Sequence, residues 1–246
     1  MAAQEDPSDL PWWSKSRVLR QRSLSADRIV EAALALIDRD GLEHLSMRRL
    51  GADLGAGATS LYWHVPSKDA LLDLIVDRLM AEVADEARGE SGATWRAQLA
   101  VYAQALRSVL ARHAAAASLV GSRVPVGPNG LRLMERVLAI LAKGGFSGRQ
   151  RALAYGAVTG YAAGQAVMQT RGQATSAESP GSAGEQLHRL GTLLHGAPRG
   201  RFPNVFEMAA SIAELTDAEQ FEYGLQRMLD GLETELKPVN PRRRPF

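Results

Sequence analysis

No cysteine occurs in the 246 residues, which excludes a disulfide framework and any cysteine-ligated zinc site and suits a reducing compartment. Aromatic residues make up only 6% of the chain, and no stretch alternates apolar and polar residues over the length of a strand. Alanine, leucine and glycine dominate instead, which favours helices packed closely through small side chains over a β-rich fold. Net charge is also scarce, at +2, so the overall balance does not announce an acidic partner. The opening MAAQEDPSDLPWW lacks a basic region followed by an apolar run, so a secretory signal is not expected and a cytoplasmic location is. HExxH, GxSxG, a Walker loop and spaced metal-ligand clusters are all missing, so neither an enzyme, a cofactor nor a metal site is expected.

What is present is unevenly distributed. Lys15, Arg17, Arg20 and Arg22 have no acidic residue between them, and Lys237, Arg242, Arg243 and Arg244 form a second acid-free group. The first group reads equally as a basic arm reaching phosphates or a minor groove and as a solvated tail. The second, broken by prolines, reads as a solvated tail. The length exceeds that of a usual single domain, so one small and one larger helical unit are expected in an all-α chain.

Residues 45–65, LSMRRLGADLGAGATSLYWHV, read as two short helices joined by a glycine-bearing turn. Ser46 supplies an N-cap oxygen, Leu50 and Leu54 share a face, and Gly55 stands where a helix ends through a left-handed residue. A second helix runs from about Ala58 to His64, until Pro66 disfavours helical angles at Val65. Leu61 points inward. Gly55-Ala-Gly57 resembles the start of a dinucleotide fingerprint, but no strand precedes it and a helix-turn-helix explains it fully. A support helix precedes the motif, opened by Ser25 and Asp27 and closed by Gly41. Ser67 caps a connecting helix over residues 67–87, a lever of roughly 30 Å.

Beyond a polar break at Gly89 to Gly92, a helix from Thr94 to Ala117 carries Trp95, Leu99, Tyr102, Leu106 and Leu110. The glycines and prolines of GSRVPVGPNG, residues 121–130, predict a loop, and a helix from Leu131 to Lys143 follows. Between Arg151 and Arg171, nineteen uncharged residues place Gly156, Gly160 and Gly164 at four-residue steps. A membrane span, a plain core helix and a soluble helix with a glycine face for a close partner all fit that pattern. The third is favoured by its mate, Asp217 to Leu236, where Phe221, Leu225, Met228, Leu229, Leu232 and Leu236 make an apolar stripe. Two such helices from each of two subunits would form a four-helix interface without membrane involvement. Residues 172–201 are expected to be mobile apart from a possible helix over 185–195.

The run LYWHV followed by Ser67-Lys68-Asp69-Ala70-Leu71-Leu72 resembles the TetR family of repressors, and FEYGLQRMLDGLETELK resembles that family's last helix. The resemblance implies a flexible arm over 1–22, a helix-turn-helix domain over 23–70, an effector-binding and dimerisation domain over 88–237, and a basic tail over 238–246. It implies a homodimer that binds a pseudo-palindromic double-stranded operator and is released by a small molecule. Arg48, Tyr62, His64 and Lys68 match the family's DNA contacts, and Thr59 and Ser60 join them at the start of the recognition helix. The family's pattern of glutamine, proline and threonine there becomes Ala58, Thr59 and Ser60, so the operator should differ. Leu119 and Gly160 stand where the pattern has drug and magnesium histidines, which argues against a metal-dependent effector.

The remaining candidates are Tyr102, Leu106, Leu119, Val137, Ile140, Tyr155 and Met168, with Arg136 and Gln165 as polar handles, a set suited to a largely apolar effector. Taken one at a time, each of these is better read as filling a plain helical core. The dimer candidates are Gly156, Gly160, Gly164, Phe221, Leu225, Met228 and Leu232. A ligand-independent regulator, or a helical small-molecule binder without DNA readout, are the alternatives.

Overall fold

A computed structural model describes residues 24–88, 93–174, 199–212 and 215–236. The expected arm over 1–22, the tail over 238–246 and the possible helix over 185–195 lie outside the described residues. The described chain is all-helical: α1 (Ala26–Asp40), α2 (Met47–Asp53), α3 (Ala58–Tyr62), α4 (Lys68–Glu86), α5 (Trp95–Arg112), α6 (Ala117–Ser122), α7 (Pro128–Lys143), α8 (Gly148–Ala174), α9 (Pro203–Ile212) and α10 (Asp217–Leu236).

Serine caps set the starts of the first helices. The hydroxyls of Ser25, Ser46 and Ser67 accept from the amides of Arg28, Arg49 and Ala70, each satisfying an otherwise orphaned donor of a first turn. Gly41 ends α1 with φ at 94° and Gly55 follows α2 with φ at 64°, both in the range that favours glycine. Ile29, Ala33, Leu36 and Ile37 of α1 meet Leu50, Leu61 and Val65 in a closed core under the three-helix unit.

α4 leaves this unit directly after Pro66 and Ser67 and enters the larger domain, burying Leu71, Ile75, Leu79 and Val83. Its middle is fixed by a buried acid. Asp77 accepts from the backbone amides of Asn129 and Gly130 at 2.9 Å and from Asn129 Nδ2 at 2.9 Å. Gly127, the N-cap of α7, has no side chain to do this, and its backbone lies so close to the Asp77 carboxylate that a Cβ there would collide with it.

Several features differ from the sequence expectation, α3 ending at Tyr62 rather than His64 among them. α5 stops at Arg112 because His113 leaves helical angles, at φ −104° and ψ 53°, and the alanines after it turn into the short α6. α7 starts at Pro128 rather than Leu131, since proline is pre-organised for the first turn of a helix and only breaks one further in. α9 was not foreseen.

The apolar stripe of α10 requires a larger correction. Phe221, Leu225 and Leu232 are buried within the single chain, so the expectation that they face a partner fails. They hold α10 onto α5 and α8: Tyr161 stacks on Phe221 with centroids 5.4 Å apart and donates to its carbonyl at 2.9 Å, and the Arg107 guanidinium lies 4.8 Å from the same ring. Arg96 adds bonds to Gln226 Oε1 and Asp230 Oδ1, both at 2.6 Å. Met228 is only half-buried.

Gly156, Gly160 and Gly164 are exposed, and a Cβ added at any of them would meet no atom within 4 Å. The close crossing that would require glycine is therefore not made among the described residues. On the same face of α8 Leu153 and Met168 stand 56% and 70% exposed, so α8 presents a largely apolar open side, and Tyr223 on α10 is 72% exposed.

Candidate DNA-reading and effector sites

The turn between α2 and α3 is tight because Gly51 lets the chain return on itself; a Cβ there would lie 2.8 Å from the Ala56 carbonyl oxygen. That approach sets α3 against α2 with Leu61 and Val65 fully buried. The register of two inward residues then decides what faces out. Thr59, Ser60, Tyr62, Trp63 and His64 are all exposed, Trp63 at 85%. They form a continuous surface of hydroxyl, methyl, indole and imidazole groups without a carboxylate among them.

Ion pairing sorts the nearby cations. Arg49 binds Asp40 at 2.6 Å and Arg39 binds both Asp40 and Asp53, at 2.8 and 3.1 Å. The Arg39 hydrogen bond holds the Asp40 carboxyl below its usual range. Arg48, between these networks, is exposed and makes no ion pair or side-chain hydrogen bond with the described residues. Its charge is available to a partner. Lys68 is exposed but not idle, since its ammonium donates to the Leu45 carbonyl at 2.7 Å and so ties the start of α4 to the entry of α2. Trp63 was missed in the sequence, although its position two residues after the inward Leu61 puts it on the outer side.

The effector candidates lie mostly on α5, α6, α7 and α8. Tyr102, Leu106, Leu119, Val137 and Ile140 are buried, while Tyr155 and Gln165 are half-buried. The Tyr102 hydroxyl lies 2.9 Å from Thr159 Oγ1, and burial together with neighbouring Tyr155 pushes its phenol up from the ordinary value. Two candidates are displaced. Met168 is exposed, so it does not line an interior site of the single chain. Arg136 donates to the carbonyls of Ala84 and Ala87, at 3.3 and 2.6 Å. It closes the last turn of α4, where unpaired carbonyls attract a cation, and is not a free handle for a ligand. Among the described residues no cluster of three or more acidic, histidine or cysteine side chains could hold a metal ion, and no helix is long and apolar enough to cross a membrane.

Residues 29–75 match the family described as bacterial regulatory proteins, tetR family, and residues 88–236 match the tetracyclin repressor-like C-terminal domain. The chain belongs to the TetR family. It is thus a transcriptional regulator, and TetR relatives named as repressors align along most of it. The repressor DrrR1 of Streptomyces coeruleorubidus is 36% identical over 86% of this chain and 78% of its own length. The class D tetracycline repressor of Escherichia coli is 28% identical over 87% and 91%. A regulator from Saccharopolyspora erythraea reaches 46% identity, over 59% of this chain and 61% of its own length, so that match spans less than two thirds of the relative. Among solved TetR structures, Streptomyces coelicolor ActR in complex with actinorhodin is 34% identical, covers 88% of this chain and 100% of its own, and superposes with a TM-score of 0.74.

Proposed function

We propose that this TetR-family chain is a cytoplasmic, homodimeric repressor that reads a pseudo-palindromic operator and leaves it when a small, largely apolar effector binds. The observation that carries the reading is the outward row on α3, backed by buried Leu61 and Val65 and flanked by the unpaired Arg48. Thr59 and Ser60 offer a methyl and hydroxyls to base edges, and Arg48, Tyr62, His64 and Lys68 suit phosphates. Trp63 joins this set. Lys68 serves both ends, because a lysine has three donors and only one is used by Leu45.

Dimerisation gives so short a reader its affinity, since two copies engage half-sites about one turn of DNA, roughly 34–36 Å, apart. The partner is received on the open side of α8 and α10, at Leu153, Gly156, Gly160, Gly164, Met168 and Tyr223. Apolar surface of this kind, with room for a close helix, suits a second copy of the same helices. The effector reading rests on the apolar set Leu106, Leu119, Val137 and Ile140 with the Tyr102, Tyr155 and Gln165 polar groups, and the ActR complex with actinorhodin supports a small-molecule effector. α4 transmits its binding: Asp77 ties it to the start of α7 and Arg136 ties its end to the middle of α7.

A gel shift against DNA upstream of its own gene tests the proposal. Retardation by the intact chain, reversed by a compound found in a thermal-shift screen, is expected. Absence of retardation would leave a helical ligand-binding protein; retardation that no stabilising compound reverses would leave a ligand-independent regulator.

A further inference from the structure

The residue that ends α5 faces two carboxylates from two other helices. His113 Nδ1 lies 2.7 Å from Asp38 Oδ2 on α1, and Nε2 lies 3.2 Å from Glu82 Oε2 on α4. The ring is 12% exposed. Among the described residues, the Asp38–His113 contact is the side-chain hydrogen bond that joins the α1–α3 unit to the helices after α4.

We propose that His113 is a proton-dependent strut that fixes the DNA-reading unit against the effector domain; this rests on the reading of the chain as a DNA-bound switch. An ionised carboxylate only accepts hydrogen bonds, and a neutral imidazole donates from one nitrogen alone. Both contacts are therefore complete only when the ring carries two protons. The surroundings supply the matching charge. Asp38 faces the ring from α1, Glu82 and Glu86 lie on α4, and the cations are Arg78 on α4 and Arg112 on α5. Three carboxylates meet two guanidiniums, so a cationic imidazole makes the cluster neutral. Glu82 is ionised: burial pushes its carboxyl up, but the hydrogen bonds from Arg112 and His113 outweigh this and hold it below its usual range.

The sign follows. The doubly protonated ring bridges α1, α4 and α5; once it loses a proton, one nitrogen turns a lone pair toward a carboxylate and that contact becomes repulsive. The ring then keeps one contact of its two, the bridge from α1 through His113 to α4 is broken, and the recognition helix that α1 supports loses its fixed angle to the effector domain. His113 does not touch DNA in this scheme. It is a positioning residue for the switch.

The test compares the full chain with His113→Gln, and with Asp38→Asn should the first variant fail to fold. Hydrogen exchange of α1 amides, each corrected for its intrinsic rate, is measured at about pH 6 and about pH 8. The α10 amides serve as the internal reference. The wild type should lose about tenfold of its α1 protection between the two conditions, the scale of one charge-assisted bond, while the variant shows none of that change. Affinity for the upstream duplex, measured in parallel, should depend on pH differently in the two proteins; His44 and His64 are common to both and cancel. Equal pH responses of α1 in wild type and variant would overturn the strut. Failure of the wild type to bind the duplex would count against the DNA-binding reading instead, and the exchange arm would still decide the strut.

Discussion

Asp77 provides a sharp perturbation because one of its oxygens does most of the capping. Its Oδ1 accepts from the backbone amides of both Asn129 and Gly130, while Oδ2 accepts only from the Asn129 side chain. Asp77→Ala leaves both amides without their acceptor, the Gly130 one in a buried position. An orphaned buried donor costs about 1–3 kcal/mol, so partial access of water to Asn129 brings the expected loss to about 3 kcal/mol. For a chain of this size that is a fall in Tm of roughly 6–12 °C. Asp77→Asn is different. Its carbonyl oxygen can occupy the Oδ1 position and keep both backbone bonds, and the Asn129 amide can turn to accept from the new one. What is lost is the attraction between a negative charge and the N-terminal end of α7, about 0.3–1 kcal/mol, together with the exposed bond from Arg132 to Asn129 Oδ1 that the turned amide gives up. Urea unfolding and thermal melting of the two variants and the wild type measure the contrast. If Asn and Ala destabilise equally, or if Ala costs less than about 1 kcal/mol, the capping argument is wrong.

Three further outcomes follow from named contacts. Arg48→Ala should weaken binding to all DNA sequences and reduce the salt slope by about one phosphate's worth with Tm unchanged, because Arg48 makes no bond within the described chain; an unchanged slope in a filter-binding titration removes it from the interface. Gly160→Leu should leave the protomer folded, since a Cβ there meets nothing within 4 Å, yet separate the dimer in sedimentation through overpacking worth about 1–3 kcal/mol; an intact dimer places the partner elsewhere. Glu82→Gln should lower Tm at about pH 7 by roughly 2–6 °C. The folded-state pKa of Glu82 is depressed, so its stabilisation is present above the unfolded value near about 4.3 and is lost as pH falls through the folded one, and the gap between the two proteins should close in acid. A gap that persists there would show that Glu82 acts through packing instead of charge.

Much of the fold was legible because its signals are local. Ser46, Ser67 and Gly55 mark helix ends by chemistry that acts within a turn, and α10 begins and ends where its periodicity does, at Asp217 and Leu236. The outward row on α3 was legible too, once Leu61 was set inward. What stayed hidden depends on which surface covers which. Periodicity shows that Phe221, Leu225 and Leu232 share an apolar face, but not whether the chain itself or a partner buries it; here α5 and α8 bury it. Arg136 reads as a free polar group on an apolar helix until the end of α4 arrives beside it. His113 and Asp77 act across separations of 31 to 75 residues, where no spacing rule reaches.

The switch itself is tested most directly by reciprocal titration. A stabilising compound from the thermal-shift screen is titrated into the chain alone and into the chain saturated with operator DNA. Thermodynamic linkage requires the operator to weaken the compound by the same factor by which the compound weakens the operator. A tenfold factor, about 1.4 kcal/mol, is the predicted scale. Equal affinities in the two titrations would contradict induction and leave the C-terminal domain as a dimerisation module.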